Sequence, residues 1–385
     1  MSEVAQAPQL RFPEFIGEWD VTNFGNISSI KRGASPRPIS SPKWFDKDSS
    51  VGWVRISDVT KSKKYLKKTE QYLSEDGINR SRKVDKGNLI MSICATIGKP
   101  IYTNFNVCIH DGFIVFDSLS EDKGFIYYLL EKIQKKWYRY GQPGTQVNLN
   151  SDIVSSEIFS IPTKPEQQKI AAFLAAVDSK IEQLSKKQEL LGEYKKGLMQ
   201  QIFSQATRFK ADDGCDFPDW EEKKLGDVSV RGTSNISANQ LEDNNGDYKI
   251  YGAAGHLKNI DFYTEEDCYV AIVKDGAGVG RIMLLESKTS VLGTLAIIKA
   301  KQGNDINFLY WLIQTINFRK YVVGSTIPHI YYRDYQAEKL RIPSLSEQTK
   351  IANFLSFIDS KIEQVGKQLD ESKQFKKALL QQMFV

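Results

Sequence analysis

The chain has 385 residues, of which 41% are apolar and 26% charged, with 52 Lys and Arg against 47 Asp and Glu for a net charge of +5. Those values suit a soluble globular protein with room for two domains and exclude a disordered chain. No apolar run reaches the length of a membrane span, and the start, MSEVAQAPQL, lacks the layout of a signal peptide, so a cytoplasmic location is expected. Cys94, Cys108, Cys215 and Cys268 show no CxxC spacing, and His110, His256 and His329 are dispersed, so neither zinc site nor disulfide framework is indicated.

In chain order, Phe12-Pro13 leads into a strand and turn at Trp19 to Gly25. A basic stretch follows, with Lys61, Lys63, Lys64, Lys67, Lys68, Arg80, Arg82, Lys83 and Lys86 interleaved with Tyr65 and Tyr72. It reads either as a solvated loop or as a phosphate contact, since like charges at that density repel without an anionic partner. Strands are expected at Ile90 to Lys99 and at Gly112 to Phe116, then a short helix from Phe125 to Trp137 and a glycine-bearing loop from Gly144 to Asn148. A long helix is expected from about 165 to 204, because Ile170, Val177, Leu184, Leu191 and Leu198 recur every seven residues. At 1.5 Å per residue such a helix is about 60 Å long.

The order then repeats. Phe217-Pro218 and Trp220 to Gly226 answer Phe12-Pro13 and Trp19 to Gly25, Ile272 to Arg281 answers Ile90 to Lys99, and Gly293 to Ile297 answers Gly112 to Phe116. A helix from Phe308 to Tyr321 and a loop from Gly324 to His329 follow. Residues 342–385 then align without a gap on 161–204, at an offset of 181, and half of the positions are identical. Ile351, Ile358, Val365 and Leu379 continue the heptad seam, which Gln188, Lys195, Ser372 and Lys376 interrupt. Polar residues in a seam can fix register and orientation. The expected fold class is α+β: strand-rich domains at 1–160 and 206–341, and helices at 161–205 and 342–385 that pair as an intramolecular antiparallel coiled coil. The alternative is that each helix is a dimerisation stalk.

The chemistry-bearing motifs are weak. Gly276-Ala277-Gly278-Val279-Gly280 lacks full GxGxxG spacing and precedes a strand-like run, so a turn is expected, with Lys99 and Arg281 as possible phosphate contacts. The cluster from Asp219 to Lys223 has no equivalent near Phe12, which argues against a nuclease centre, and no P-loop, GxSxG elbow or Asn-Pro-Pro-aromatic run occurs. The loops Gly144 to Asn148 and Gly324 to His329 concentrate groups able to bond base edges, or else close turns on themselves. Lys135 to Tyr140 and Phe318 to Tyr321 read either as backbone contacts or as helix-core aromatics.

The duplicated Ile-Pro…Glu-Gln-x-Lys-Ile-Ala-x-Phe-Leu…Asp-x-Lys-Ile-Glu pattern, with Trp53 to Val59, Ala95 to Lys99 and the Gly-Thr-Gln and Gly-Ser-Thr loops, resembles the DNA specificity subunit of type I restriction–modification systems. Ile327, where a glutamine is common, and the glycine-rich run at 276–280 depart from that pattern. The resemblance implies a non-catalytic subunit whose two target-recognition domains each read half of an asymmetric, interrupted DNA site, with the helices as spacer. It implies two modification subunits that use S-adenosylmethionine, and restriction subunits that use ATP and magnesium; none of these cofactors is expected on this chain. The residues expected at DNA are Lys31, Arg37, Arg55, Ser57, Lys99, Thr145, Gln146 and Asn148 in the first domain, and Lys274, Arg281, Ser325, Thr326 and His329 in the second. A coiled-coil assembly scaffold without DNA readout is the competing reading.

Overall fold

The computed structural model describes residues 7–140 and 149–385. The chain divides into two compact units, Met1–Ser185 with Lys367–Val385, and Lys186–Gly366. Each unit holds one strand-rich domain and a segment of each of the two long helices, Lys164–Phe203 and Leu345–Gln382.

Apolar runs bounded by turns become central strands, buried on both faces. In the first unit Leu89–Ser92 is such a strand; the sheet order is Ser29–Arg32, Phe113–Asp117, Leu89–Ser92, Pro100–Thr103, Tyr65–Leu66. A second sheet runs Gln71–Tyr72, Gly52–Val54, Val107–Ile109, Arg82–Val84. In the second unit Tyr269–Val273 is the wholly buried strand, in the order Ser229–Thr233, Leu295–Ala300, Tyr269–Val273, Ile282–Leu285. The turn at Gly276 to Gly280 therefore joins two strands, with Gly276 and Gly280 at positive φ. The short helices Lys123–Ile133 and Ile306–Ile313 start at Asp122 and Asp305, whose carboxylates accept from the amides three residues on.

Inside each unit the helix segments pack on their own chain. In the second, the Gln188 amide lies over Gly366, Lys195 pairs with Asp359, and Ile202 shares a core with Ile351 and Leu355. Partners retreat along one helix as they advance along the other, so the pairing is antiparallel. In the first, Lys376 reaches Asp178 at 2.8 Å, and Leu379, Met383 and Phe384 share a core with Ile170, Leu174 and Phe125. Ile170, Leu184, Ile351, Ile358, Val365 and Leu379 are buried; Val177, Leu191 and Leu198 are half-buried. The two interrupting lysines, equivalent in the repeat, thus meet two equivalent aspartates. Lys376 also contacts Glu131 at 2.7 Å; burial opposes its charge, but Glu131 and Asp178 outweigh that and raise its pKa.

Each helix is fixed to its domain at its first turn by a buried carboxylate. Glu166 accepts from Arg11 Nε and Nη2 at 2.8 Å, and Glu347 from Arg208 Nη2 at 2.9 Å and Trp220 Nε1 at 3.0 Å. The next residue turns the other way: Gln167 accepts from the Asp122 amide and donates to the Pro162 carbonyl, as Gln348 does with Asp305 and Pro343. The expected match of Phe12-Pro13 with Phe217-Pro218 is replaced by one of Arg11-Phe12 with Arg208-Phe209. Phe12 meets Phe173 edge-on and Phe209 meets Phe354 likewise. The Phe217 and Pro218 carbonyls accept from Arg208 instead.

Breaking a buried pair by removing one partner strands the other charge, at a cost of about 3–5 kcal/mol. Arg11→Met is expected to lower the stability of the first unit by about that amount, read as the urea midpoint by tryptophan fluorescence. Arg208→Met should act similarly in the second, where Trp220 still donates to Glu347.

Candidate nucleic-acid interface

In both units polar loops collect at the end of the sheet where the central strand leaves it. In the first, the Ile93 amide donates to the Gly112 carbonyl at 2.9 Å and the Leu149 amide to the Ile93 carbonyl at 3.3 Å. In the second, the Lys274 amide donates to the Thr294 carbonyl and the Ile330 amide to the Lys274 carbonyl, both at 2.9 Å. Each glycine-bearing loop named from the sequence adjoins this point in the chain. Thr145, Gln146 and Asn148 lie outside the described residues. In the second loop Ser325 and Thr326 are exposed, and His329 makes isolated backbone bridges with Val323 and Asp275.

Around that end of the first domain stand four exposed arginines. Val54 and Arg82 both register with Ile109, Val54 from a parallel strand and Arg82 from an antiparallel one, which places Arg55 beside His110 and Arg82 beside Ile109. Arg82 Nε donates to the Arg32 carbonyl at 3.2 Å, and Arg32 Nε to the Asp111 carbonyl at 2.8 Å. The Asp111 carboxylate accepts from Ser35 Oγ at 2.9 Å and from Arg37 Nη2 at 3.3 Å. Gly33 permits this approach, because a Cβ there would lie 2.0 Å from the His110 carbonyl oxygen. Burial opposes ionisation of Asp111, but the Ser35 bond, its own backbone and the nearby His110 and Arg37 hold its pKa below the ordinary value. Burial also lowers the pKa of His110, whose Nδ1 accepts from the Gly112 amide at 2.8 Å. Nδ1 also lies 3.6 Å from the Asp111 carboxylate. Ser57 is exposed on the helix Ile56–Lys61.

The second domain builds a different surface. Arg231, Lys274, Asp275, Tyr331 and Arg333 line a cavity of about 280 Å³. Arg281 is exposed, with Nη1 on the Ala253 carbonyl at 2.6 Å. Arg32, Asp111, Arg231, Tyr331 and Arg333 escaped the sequence reading. They come from four segments far apart in the chain, with only Tyr331 and Arg333 sharing one, so no motif spacing links them.

Other cations are engaged within their own unit. Lys99 Nζ donates to the carbonyls of Val59 and Ser62 at 2.7 and 2.8 Å, closing the C-terminus of Ile56–Lys61. Lys31 pairs with Asp117 at 2.5 Å. Of the basic stretch, Lys63, Lys64 and Lys67 line a cleft of about 700 Å³ beside Asp178 and Lys376, within the first unit. Trp137 and Phe318 are core residues, against Gly98 and Gly280. Arg139 and Lys320 pair with the equivalent Glu157 and Glu338. Among the described residues no group of three His, Cys, Asp or Glu is placed to hold a metal, and no helix is long and apolar enough to cross a membrane.

Lys99→Met should lower stability by about 1–3 kcal/mol through its stranded carbonyls, while the slope of log Kd against log salt for DNA stays unchanged. Arg231→Met is expected to do the reverse, reducing that slope by about one.

The sequence matches the family described as type I restriction modification DNA specificity domain over residues 16–191 and 218–371. It is similar to the type I restriction enzyme MjaIX specificity subunit of Methanocaldococcus jannaschii, at 22% identity over 94% of this chain and 92% of that one. It is also similar to the type I restriction enzyme EcoDI specificity subunit of Escherichia coli, at 28% identity over 42% of this chain and 37% of that one. In structure it resembles the type I restriction–modification S subunit from M. genitalium, with a TM-score of 0.68 at 16% identity, covering 98% of this chain and 99% of that one. A chain from a study of complex assembly and conformational transition of the type I R-M system aligns at a TM-score of 0.56 and 16% identity, over 94% and 96%. With both halves matched in this way, the chain belongs to the type I restriction–modification DNA specificity family.

Proposed function

We propose that this chain is the cytoplasmic DNA-reading subunit of a type I restriction–modification complex. Its domains at 1–160 and 206–341 each read half of an asymmetric interrupted site, and its helices at 161–205 and 342–385 serve as spacer and docking frame. The observation that carries this reading is the same loop-bearing sheet end in both units, furnished with different side chains on a matching frame. Guanidinium, amide and hydroxyl groups grouped in this way suit phosphates and base edges. Different furnishing predicts different half-sites. Arg37, Arg55 and Ser57 are the proposed contacts in the first domain, with Thr145, Gln146 and Asn148 of the adjoining loop. Lys274, Arg281, Ser325, Thr326 and His329 are those in the second, with Lys31 as a flanking cation in the first. Methyl transfer from S-adenosylmethionine, and ATP- and magnesium-dependent cleavage, fall to partner subunits.

Exchange of residues 10–160 for the equivalent domain of a relative tests the reading. Methylated adenines mapped genome-wide should change in one half of the site and stay constant in the other; an assembly scaffold would leave the sites as they were. Tyr194 and Phe375, equivalent in the repeat and 55% and 52% exposed, are proposed as anchors for two copies of the modification subunit. Tyr194→Glu or Phe375→Glu alone should reduce bound copies from two to one by native mass spectrometry, and the double variant should bind none.

A further inference from the structure

We propose that Asp111 positions Arg37 to read a guanine in the half-site of the first domain. The proposal rests on the DNA-reading role above and names the base and the residues that set it. Arg37 is 74% exposed, and one of its nitrogens is held by Asp111; among the described residues the others have no partner. The segment that carries it is stiff. Pro36 and Pro38 flank Arg37, Pro36 is buried, and the Pro38 carbonyl accepts from Trp44 Nε1 at 2.9 Å. Proline fixes its own φ and restricts the residue before it. A side chain ordered in advance loses less freedom on binding.

Charge makes the case sharper. Arg32 and Arg37 both contact Asp111, Arg82 bonds the Arg32 carbonyl and Arg55 lies near His110, and a carboxylate among them weakens the general attraction to phosphate. Its contribution must then be one of orientation. Ser35 holds one carboxylate oxygen and Arg37 Nη2 bonds the other, so one edge of the guanidinium is engaged from behind. Phosphates accept a cation from many directions. The N7 and O6 atoms of guanine, side by side in the major groove, require a planar fork delivered edge-on, which arginine supplies and lysine does not. In the second domain Leu292 stands immediately before Gly293, where Asp111 stands before Gly112, so this arrangement belongs to one half-site only.

The test uses the full chain, co-expressed with its modification subunits, and reads methylated sites and competition binding. Arg37→Lys and Asp111→Asn are each expected to relax a single guanine position in one half-site, on the order of tenfold in the ratio of cognate to adenine-substituted DNA, and to leave the other half-site strict. Asp111→Asn should also leave non-specific affinity unchanged or raise it, since an anion is removed. A merely structural Asp111 would instead lower thermal stability and weaken every position of that half-site together. Arg37→Lys alters an exposed side chain and keeps its charge, so the question stays answerable if Asp111→Asn unfolds the domain. Undiminished guanine selectivity in Arg37→Lys would overturn the proposal. If exchange of residues 10–160 still moved one half-site, the DNA-reading role would stand without it; if the exchange moved nothing, that role would itself be wrong.

Discussion

A buried carboxylate at the start of each long helix is the constraint on which the rest depends. Glu166 is 1% exposed and Glu347 0%, so neither can remain ionised without donors, and the chain just ahead of each domain supplies an arginine to each. The arginine leads into the domain, the carboxylate opens the helix, and the following glutamine binds the cap of the domain's own short helix. Helix and domain therefore cannot move independently without stranding a charge. The first turns of the helix Lys164–Phe203 are held in this way against the domain of their own unit.

The frame was legible in the sequence because it is periodic and occurs twice. The strands around Ile90 and Ile272 and the strand-and-turn at Trp19 and Trp220 lie where their spacing puts them, and six of the nine seam positions are buried, with Val177, Leu191 and Leu198 half-buried. Lys195 and Lys376, read as seam interruptions, find Asp359 and Asp178 as partners. The arginine anchors were not legible. The chain between Arg208 and Trp220 is longer than that between Arg11 and Trp19, and a second Phe-Pro at Phe217 drew the alignment to the wrong place. Among the expected site residues, Arg37 bonds Asp111 and Arg55 lies near His110, whereas Lys99 serves the helix Ile56–Lys61. Sequence gives the charge of a lysine but not the direction in which it points.

That difference also accounts for the modest net charge. Arg11, Arg208, Arg139, Lys195, Lys320 and Lys376 are each committed to a carboxylate inside one unit. The carboxylate of each pair offsets the charge of its partner, and a total over the chain counts them beside exposed arginines whose charge is less fully offset. What bears on a polyanion is the local set left facing solvent at each sheet end.

The two kinds of charge also differ in how freely they can change. A buried pair such as Arg208 and Glu347 is coupled: altering one member leaves the other desolvated and unpaired, so replacement of either alone is severe. An exposed group such as Ser35, Asp111 and Arg37 is coupled only through surface hydrogen bonds, each of which water can replace at small cost to folding stability. The sheet end can therefore take on a new set of side chains while the clamp, the seam and the central strand stay fixed. The two halves of this one chain already display that outcome: the clamp recurs with the same residue types, whereas His110-Asp111 in one half faces Val291-Leu292 in the other. A frame that tolerates little and a surface that tolerates much is the arrangement a reader of varied sequences requires, and here both follow from which charges are buried.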